Sequence, residues 1–364
     1  MGQYSFTSES VTEGHPDKVC DYIADSILDA YLGRDPASHV ACEVLCKDNH
    51  VILAGEIKAN AQIEVETVVR AAIAEIGYTD AGTAFNADSV VITNLLGGQA
   101  AEINQGVSGA KEQGAGDQGL MFGFATDETP ELMPLPILLA HRLSAGLADA
   151  RKRKAVSWLR PDGKTQVTVR YQSGEPVEVT AVVVSTQHAF GVAHETIEAY
   201  VREELLPKRL GSWHNLGARV LVNPAGAFTT GGPSADCGVT GRKIIVDTYG
   251  GFARHGGGAF SGKDASKVDR SAAYFARYVA RNIVAGGLAR KAEVQVSYAI
   301  GVAEPVSLFV DTFGTGDDEK AERFAAGFDF RPASIIQKLG LLNPIYRQTT
   351  NYGHFGKTIL AWEK

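Results

Sequence analysis

The chain has 364 residues, 45% hydrophobic and 21% charged, with 35 Lys+Arg against 42 Asp+Glu and a formal net charge of −7. That length and balance describe a folded chain of two or three structural units and exclude wholesale disorder or a small disulfide scaffold. The acidic balance argues against a general nucleic-acid binder, and no apolar run approaches the ~18 residues of a membrane span.

Met1 to Glu9 carry no secretory pattern. Cys20, Cys42, Cys46 and Cys237 form no CxxC pair, which argues against a zinc or disulfide framework and for a reducing cytoplasm.

Residues 16 to 32 read as an amphipathic helix, with Val19, Ile23, Ile27 and Tyr31 on one stripe, and Pro16 and Asp17 as start signals. His39 to Cys46 and Val51 to Ile57 predict a hairpin, Glu64 to Ile76 a helix stopped by Gly77, and Ser89 to Leu95 a strand. The same order recurs: helix 136 to 152, hairpin 166 to 172 with 177 to 187, helix 193 to 206, strand 219 to 222. It recurs again as helix 266 to 285, hairpin 293 to 299 with 306 to 313, and helix 319 to 328. The hairpins open near 39, 166 and 293, a spacing of 127 each time. Any α+β chain alternates in this way, but the equal spacing favours three related α+β units with pseudo-threefold symmetry. Their expected limits are 1–100, 115–231 and 232–364.

Forty glycines exceed the ~7% norm, and they cluster. Gly97 to Gly119 holds seven of them without periodicity, which reads as a mobile lid or as disorder. Gly114 to Gly119 spells G-x-G-x-x-G, but a strand-like segment follows where a dinucleotide fold needs a helix. Gly257 to Asp264 nearly spells a P-loop, with Asp264 where Ser or Thr would hold Mg²⁺. Backbone amides and a lysine still suit anionic oxygens, so a phosphate site of another type is the sharper expectation, beside that of a tight structural turn.

Lys164, Arg242, Lys243 and Lys263 lie in or beside such segments. Singly each reads as solvated charge; converging, they would hold a polyphosphate. The run Arg151 to Lys154 reads as a solvent-facing helix end. His15 and Asp17 at a helix start read as cap and dipole partner, or, beside a polyphosphate, as hydrogen-bond donor and Mg²⁺ ligand. Glu43 and Glu56 on facing strands would ordinarily be exposed; inward-facing, they could bind a cation or an ammonium.

With these blocks assembled, from Phe6-Thr7-Ser8-Glu9-Ser10-Val11 and Gly14-His15-Pro16-Asp17-Lys18 through Gly114–Gly119 and Thr240-Gly241-Arg242-Lys243 to Gly256–Asp264, the chain closely resembles the S-adenosylmethionine synthetase family over nearly its whole length. The resemblance implies a three-domain pseudo-threefold α+β fold. It implies attack of the methionine sulfur on ATP at ribose C5′, followed by hydrolysis of tripolyphosphate to phosphate and pyrophosphate.

By that resemblance His15, Lys164, Arg242 and Lys263 are catalytic, and they touch ATP together with Asp162, Ala227, Phe228, Asp236, Lys243 and Ala259. Phe228 would stack on adenine. Glu56, Gln99, Asp236 and Lys267 would bind methionine, Asp17 and Asp269 Mg²⁺ (two per site), and Glu43 K⁺. Gln99 to Gly109 corresponds to a gating loop. The partners implied are ATP and L-methionine, with no nucleic acid and no membrane, in a homodimer with shared active sites that pairs into a tetramer.

Two departures concern substrate pockets. Ala227 stands where the family usually has arginine, and Thr229-Thr230 replace apolar residues beside Phe228. A non-catalytic ATP-binding regulatory subunit and a polyphosphate phosphohydrolase are the alternatives. The first would have lost one or more of His15, Asp17, Lys164, Lys263 and Asp269, all present here, and the second would not need the methionine positions.

Overall fold

The computed structural model describes residues 2–98 and 113–364. In chain order its elements are β1 (Gln3–Val11), α1 (Pro16–Leu32), β2 (His39–Lys47), β3 (His50–Lys58), α2 (Val65–Ile76) and β4 (Val91–Gly98). There follow β5 (Gly119–Thr126), α3 (Leu135–Lys152), β6 (Leu159–Gln172), β7 (Glu175–His188), α4 (His194–Ala199), α5 (Leu206–Leu210) and β8 (Arg219–Val222). The last third holds β9 (Gly238–Val239), α6 (Ile244–Asp247), α7 (Val268–Ala285), β10 (Lys291–Tyr298), β11 (Ser307–Asp311), α8 (Asp318–Ala325) and α9 (Pro332–Leu339).

Three sheets result, ordered β4-β3-β2-β9, β8-β7-β6-β1 and β11-β10-β5. Each hairpin's first strand (β2, β6, β10) takes an antiparallel partner from elsewhere in the chain (β9, β1, β5). Each long helix packs its apolar side on the sheet of its own hairpin: α1 under β2 and β3, α3 under β6 and β7, α7 under β5 and β10. The strand preceding each helix belongs to a different sheet. β1 leads into α1 but joins the second sheet, β5 leads into α3 but joins the third, and β9, ahead of α7, joins the first.

The three α+β units are present, and the sheets do not follow the linear thirds. Across limits near 100 and 231, β1, β5 and β9 each pair with a strand of another segment, because sheet membership is set by the hydrogen-bonding neighbour and not by place in sequence. The first two sheets close with a parallel strand, β4 on β3 and β8 on β7; among the described residues the third has no counterpart.

The helix expected at 193–206 is interrupted. A π-helical turn, Tyr200–Leu205, separates α4 from α5, which opens with Pro207 at its second residue. Proline has no N–H, and its ring crowds the carbonyl four residues back, which a wider turn relieves.

On α1, burial goes beyond the expected stripe. Val19, Ile23 and Ile27 sit in the first core, and the polar side is buried too, including Asp17, Lys18, Asp21 and Asp25. Asp17, Asp21, Asp25 and Asp29 recur every fourth residue, about 6 Å apart along the axis. Each accepts backbone N–H groups from the last third of the chain. Asp17 takes Val239 at 3.0 Å, Asp21 takes Gly241 at 2.9 Å, Asp25 takes Gly262 at 2.9 Å, and Asp29 takes Tyr346 and Arg347 at 3.0 and 2.9 Å. Asp25 also forms a two-pronged buried pair with Arg270, its oxygens 2.7 and 2.9 Å from the guanidinium nitrogens. Buried carboxylates are tolerated because every one has donors.

Candidate active site

The turn between β1 and α1 is tied to β6. Thr12 donates its N–H to the Gly163 carbonyl and its hydroxyl to the Pro161 carbonyl, and Val11 pairs in register with Lys164. A side chain on Gly14 would strike Pro161 at 2.4 Å, so the approach requires glycine. His15 and Asp17 are thereby carried beside Asp162 and Lys164.

His15 caps α1, its Nδ1 accepting the Asp17 N–H at 3.2 Å. Burial, with Lys243 and Lys164 nearby, pushes its pKa down to about 3, so the ring is neutral. With Nδ1 an acceptor, the proton of the neutral ring sits on Nε2. Asp17 accepts Val239 N–H on one oxygen and the Lys243 ammonium at 2.6 Å on the other. Burial pushes its carboxyl up, but those two hydrogen bonds outweigh it and hold it below its ordinary value.

Asp162 is buried, and burial pushes it up to about 6, partly offset by the N–H groups of Gly232 and Gly163 and by Lys164. It holds the turn leading to Asp236 through the Gly232 N–H at 2.7 Å. Gln187 then links it to the segment that carries Phe228, accepting the Asp162 N–H and donating to the Thr229 carbonyl. Phe228 is fixed by its own N–H, which donates to His188 Nε2 at 3.0 Å. Ala227, Asp236, Lys164 and Arg242 are exposed.

A second group lies along β2. Ala41 bridges to Lys263, and Lys263 pairs with Asp269 at 2.6 Å. The Asp269 carboxylate lies over Gly258, where a Cβ would come within 2.3 Å of it. Lys267 pairs with Asp264, which also takes the Val40 N–H at 2.7 Å. Asp264, which broke the P-loop pattern, is therefore a buried strut fastening the glycine loop to β2. Glu43 and Glu56 stand on the face of the first sheet away from its core, and both are exposed. Partial burial pushes the Glu43 carboxyl above its ordinary value, and Lys263 nearby offsets part of that rise. Ala259 touches the other loop: a Cβ on Gly241 would come 2.5 Å from the Ala259 methyl.

Most expected residues thus gather in two adjoining groups, and two expectations change. Lys243, Lys263 and Lys267 are each engaged by a carboxylate, not loose in a cationic patch. Arg151 turns inward to the buried Glu13 at 2.6 Å, while Lys152, reaching the same carboxylate at 2.8 Å, stays exposed with Arg153 and Lys154, as expected of a solvent-facing helix end. The first and third segments meet within one chain, through Asp17 with Lys243 and Ala41 with Lys263. Gln99 and the segment Gln99 to Gly109 fall outside the described residues.

Among the described residues no group of three His, Cys, Asp or Glu could hold a metal unaided. Residues that sequence reasoning missed are Lys18, buried between Asp21 at 3.0 Å and Asp247 at 2.6 Å, and Asp21, Asp25 and Asp29, which follow Asp17 at four-residue steps on α1. The spacing of those aspartates was a readable signal. A hollow of about 1000 Å³ on another side of α1, lined by Tyr22, Asp29, Ala71, Glu75 and Arg347 among others, contains none of the expected site residues.

The models described as the S-adenosylmethionine synthetase N-terminal, central and C-terminal domains match residues 3–101, 112–228 and 230–364. The chain belongs to the S-adenosylmethionine synthetase family. An S-adenosylmethionine synthase of Sorangium cellulosum (strain So ce56) is 56% identical over 375 aligned positions, spanning 100% of this chain and 88% of that relative. The activity that goes with membership is methionine adenosyl transfer, and neither a non-catalytic subunit nor a polyphosphate phosphohydrolase is favoured by a match of this extent. No helix among the described residues is long and apolar enough to cross a membrane.

Proposed function

We propose that the two adjoining groups bind ATP and L-methionine and join them into S-adenosylmethionine, then hydrolyse the tripolyphosphate released. The observation that carries this reading is the pair of lysine–aspartate contacts, Lys243 with Asp17 and Lys263 with Asp269, each on a glycine-rich loop. A triphosphate entering there would draw the lysines from their carboxylates. Asp17 and Asp269 would then be open to Mg²⁺, and Glu43 would hold K⁺. Bound ions would add positive charge against the leaving group.

A thioether sulfur is already nucleophilic, so no general base is needed. The chain's task is alignment and relief of departing charge. Lys164, Arg242, Lys243 and Lys263 hold the polyphosphate. His15, neutral with its proton on Nε2, donates to it without taking a proton. Phe228, Ala227, Ala259 and Asp162 frame the nucleoside, while Glu56, Gln99, Asp236 and Lys267 receive methionine. The segments 1–100, 115–231 and 232–364 are taken as the three sequence units, which exchange one strand each.

We further propose a cytoplasmic homodimer sharing its active sites, two of which form a tetramer. Leu95 and Val91, 62% and 47% exposed on the outer face of the first sheet beside Glu43 and Glu56, support the pairing surface. Mass spectrometry of the products from ATP and methionine tests the reading: S-adenosylmethionine with phosphate and pyrophosphate is expected, and phosphate release without methionine incorporation would overturn it.

A further inference from the structure

The aspartate ladder of α1 does two kinds of work. Asp21 holds the amide of Gly241, immediately before Arg242 and Lys243, and Asp25 holds the amide of Gly262, immediately before Lys263. Both glycines have positive φ, 75° and 81°, so each amide marks the bend from which the cations project. Asp29 makes the same type of bond to Tyr346 and Arg347, in a segment with no phosphate-site cation.

We infer that Asp21 and Asp25 are positioning residues for the adenosyl transfer reaction: by anchoring two glycine bends to one helix, they set the spacing of Arg242 and Lys243 relative to Lys263. The inference rests on the phosphate-binding role proposed for those three cations. α1 is suited to the task because it is rigid, and its four-residue repeat places Asp21 and Asp25 about 6 Å apart. Neither carboxylate faces a reacting atom. Asp21 is fully buried against Lys18 and Gly241, and Asp25 is enclosed by Arg270, Thr350 and Gly262. Their effect is therefore on where the cations stand, and a displacement of about 1 Å in such groups costs up to a hundredfold in rate.

The test compares two rungs of one ladder. Binding of tripolyphosphate is measured by calorimetry, and turnover per folded molecule is measured alongside thermal unfolding. Asp21→Ala is expected to weaken tripolyphosphate binding about tenfold, the worth of one hydrogen bond, and to lower kcat at least as much with little change in KM for methionine. Asp21→Asn, which keeps a weaker neutral acceptor, should fall between, about threefold weaker in binding, and decides the matter if Asp21→Ala does not fold. Asp29→Asn should lose stability without losing tripolyphosphate affinity or kcat. Wild-type tripolyphosphate binding in the Asp21 variants, or equal losses in the Asp21 and Asp29 variants, would overturn the inference. Arg242→Ala and Lys243→Ala in the same assay keep the premises separate: if they bind tripolyphosphate like the wild type, the phosphate reading itself fails.

Discussion

Asp17 with Lys243 and Asp269 with Lys263 are chemically the same pair, each 2.6 Å between nitrogen and oxygen, yet their surroundings differ. The Asp17 side chain is 5% exposed, second in its helix, and receives the Val239 N–H as well. The Asp269 side chain is 24% exposed and rests over a glycine. An equal contact therefore carries unequal structural weight. A buried carboxylate stripped of its cation is left uncompensated, whereas a more open one is rescued by water. One pair belongs to the scaffold as well as to the site; the other belongs mainly to the site.

The largest expected effect ignores this difference. Lys243→Ala and Lys263→Ala should each lower turnover by roughly 10²–10³, the cost of removing one preorganised donor to developing negative charge. Near-wild-type turnover of either variant in a steady-state assay would remove that lysine from the polyphosphate site.

Stability should separate the pairs. Lys243→Ala is expected to cost about 3 kcal/mol in urea unfolding, and Lys263→Ala no more than about 1 kcal/mol. Equal midpoint shifts would show that burial does not distinguish them.

The comparison sharpens at a pH where the shared scaffold is sound, and His141 sets part of that limit. Fully buried, with Nδ1 2.8 Å from the Ser10 hydroxyl on β1, it has its pKa pushed down by burial to about 3. Below pH 6.5 the unfolded chain therefore binds a proton that the folded chain refuses until about pH 3, and stability falls as the pH drops through that window. At pH 5 the deficit from this group is about 2 kcal/mol relative to pH 8. A His141→Asn variant should accordingly gain on the wild type by that amount between pH 8 and pH 5 in thermal unfolding. A pH-independent difference would mean that the ring titrates normally.

The smallest effect is confined to the open pair. Gly258→Ala places a methyl within 2.3 Å of the Asp269 carboxylate. It should raise the Mg²⁺ needed for half-maximal rate severalfold, roughly 1 kcal/mol, with little change in unfolding midpoint. An unchanged Mg²⁺ titration would detach Asp269 from the metal.

Elements were readable from sequence where their signal is local. α1, α2 and the hairpins read at 39–46 with 51–57 and at 166–172 with 177–187 follow from periodicity and from stops such as Gly77, which takes φ 111° at the end of α2, although β6 begins seven residues earlier, at Leu159. The candidate site residues come from the resemblance and from the glycine clusters, and most of those described lie in two groups. What stayed hidden depends on distant partners. β9 is only two residues long and exists because Leu45 and Cys46 offer it an edge. Asp264 looked like a failed Mg²⁺ ligand because its true partner, the Val40 amide, lies 224 positions away. The lysines looked loose because no sequence pattern reveals that Asp17 meets Lys243 across 226 positions.

The cyclic exchange of strands also bears on how the chain is made. β1 leaves the ribosome first, but its partner β6 does not begin until Leu159, some 150 residues later, which at ordinary elongation speeds is about 7–30 s of waiting. By then both strands of the first hairpin have been made, but their sheet still lacks the edge that Gly238 and Val239 supply. No third of this polypeptide can satisfy its own sheet from its own sequence. The molecule is therefore built to be acquired whole, late in synthesis, and a truncated product presents unpaired strand edges that invite association with other chains.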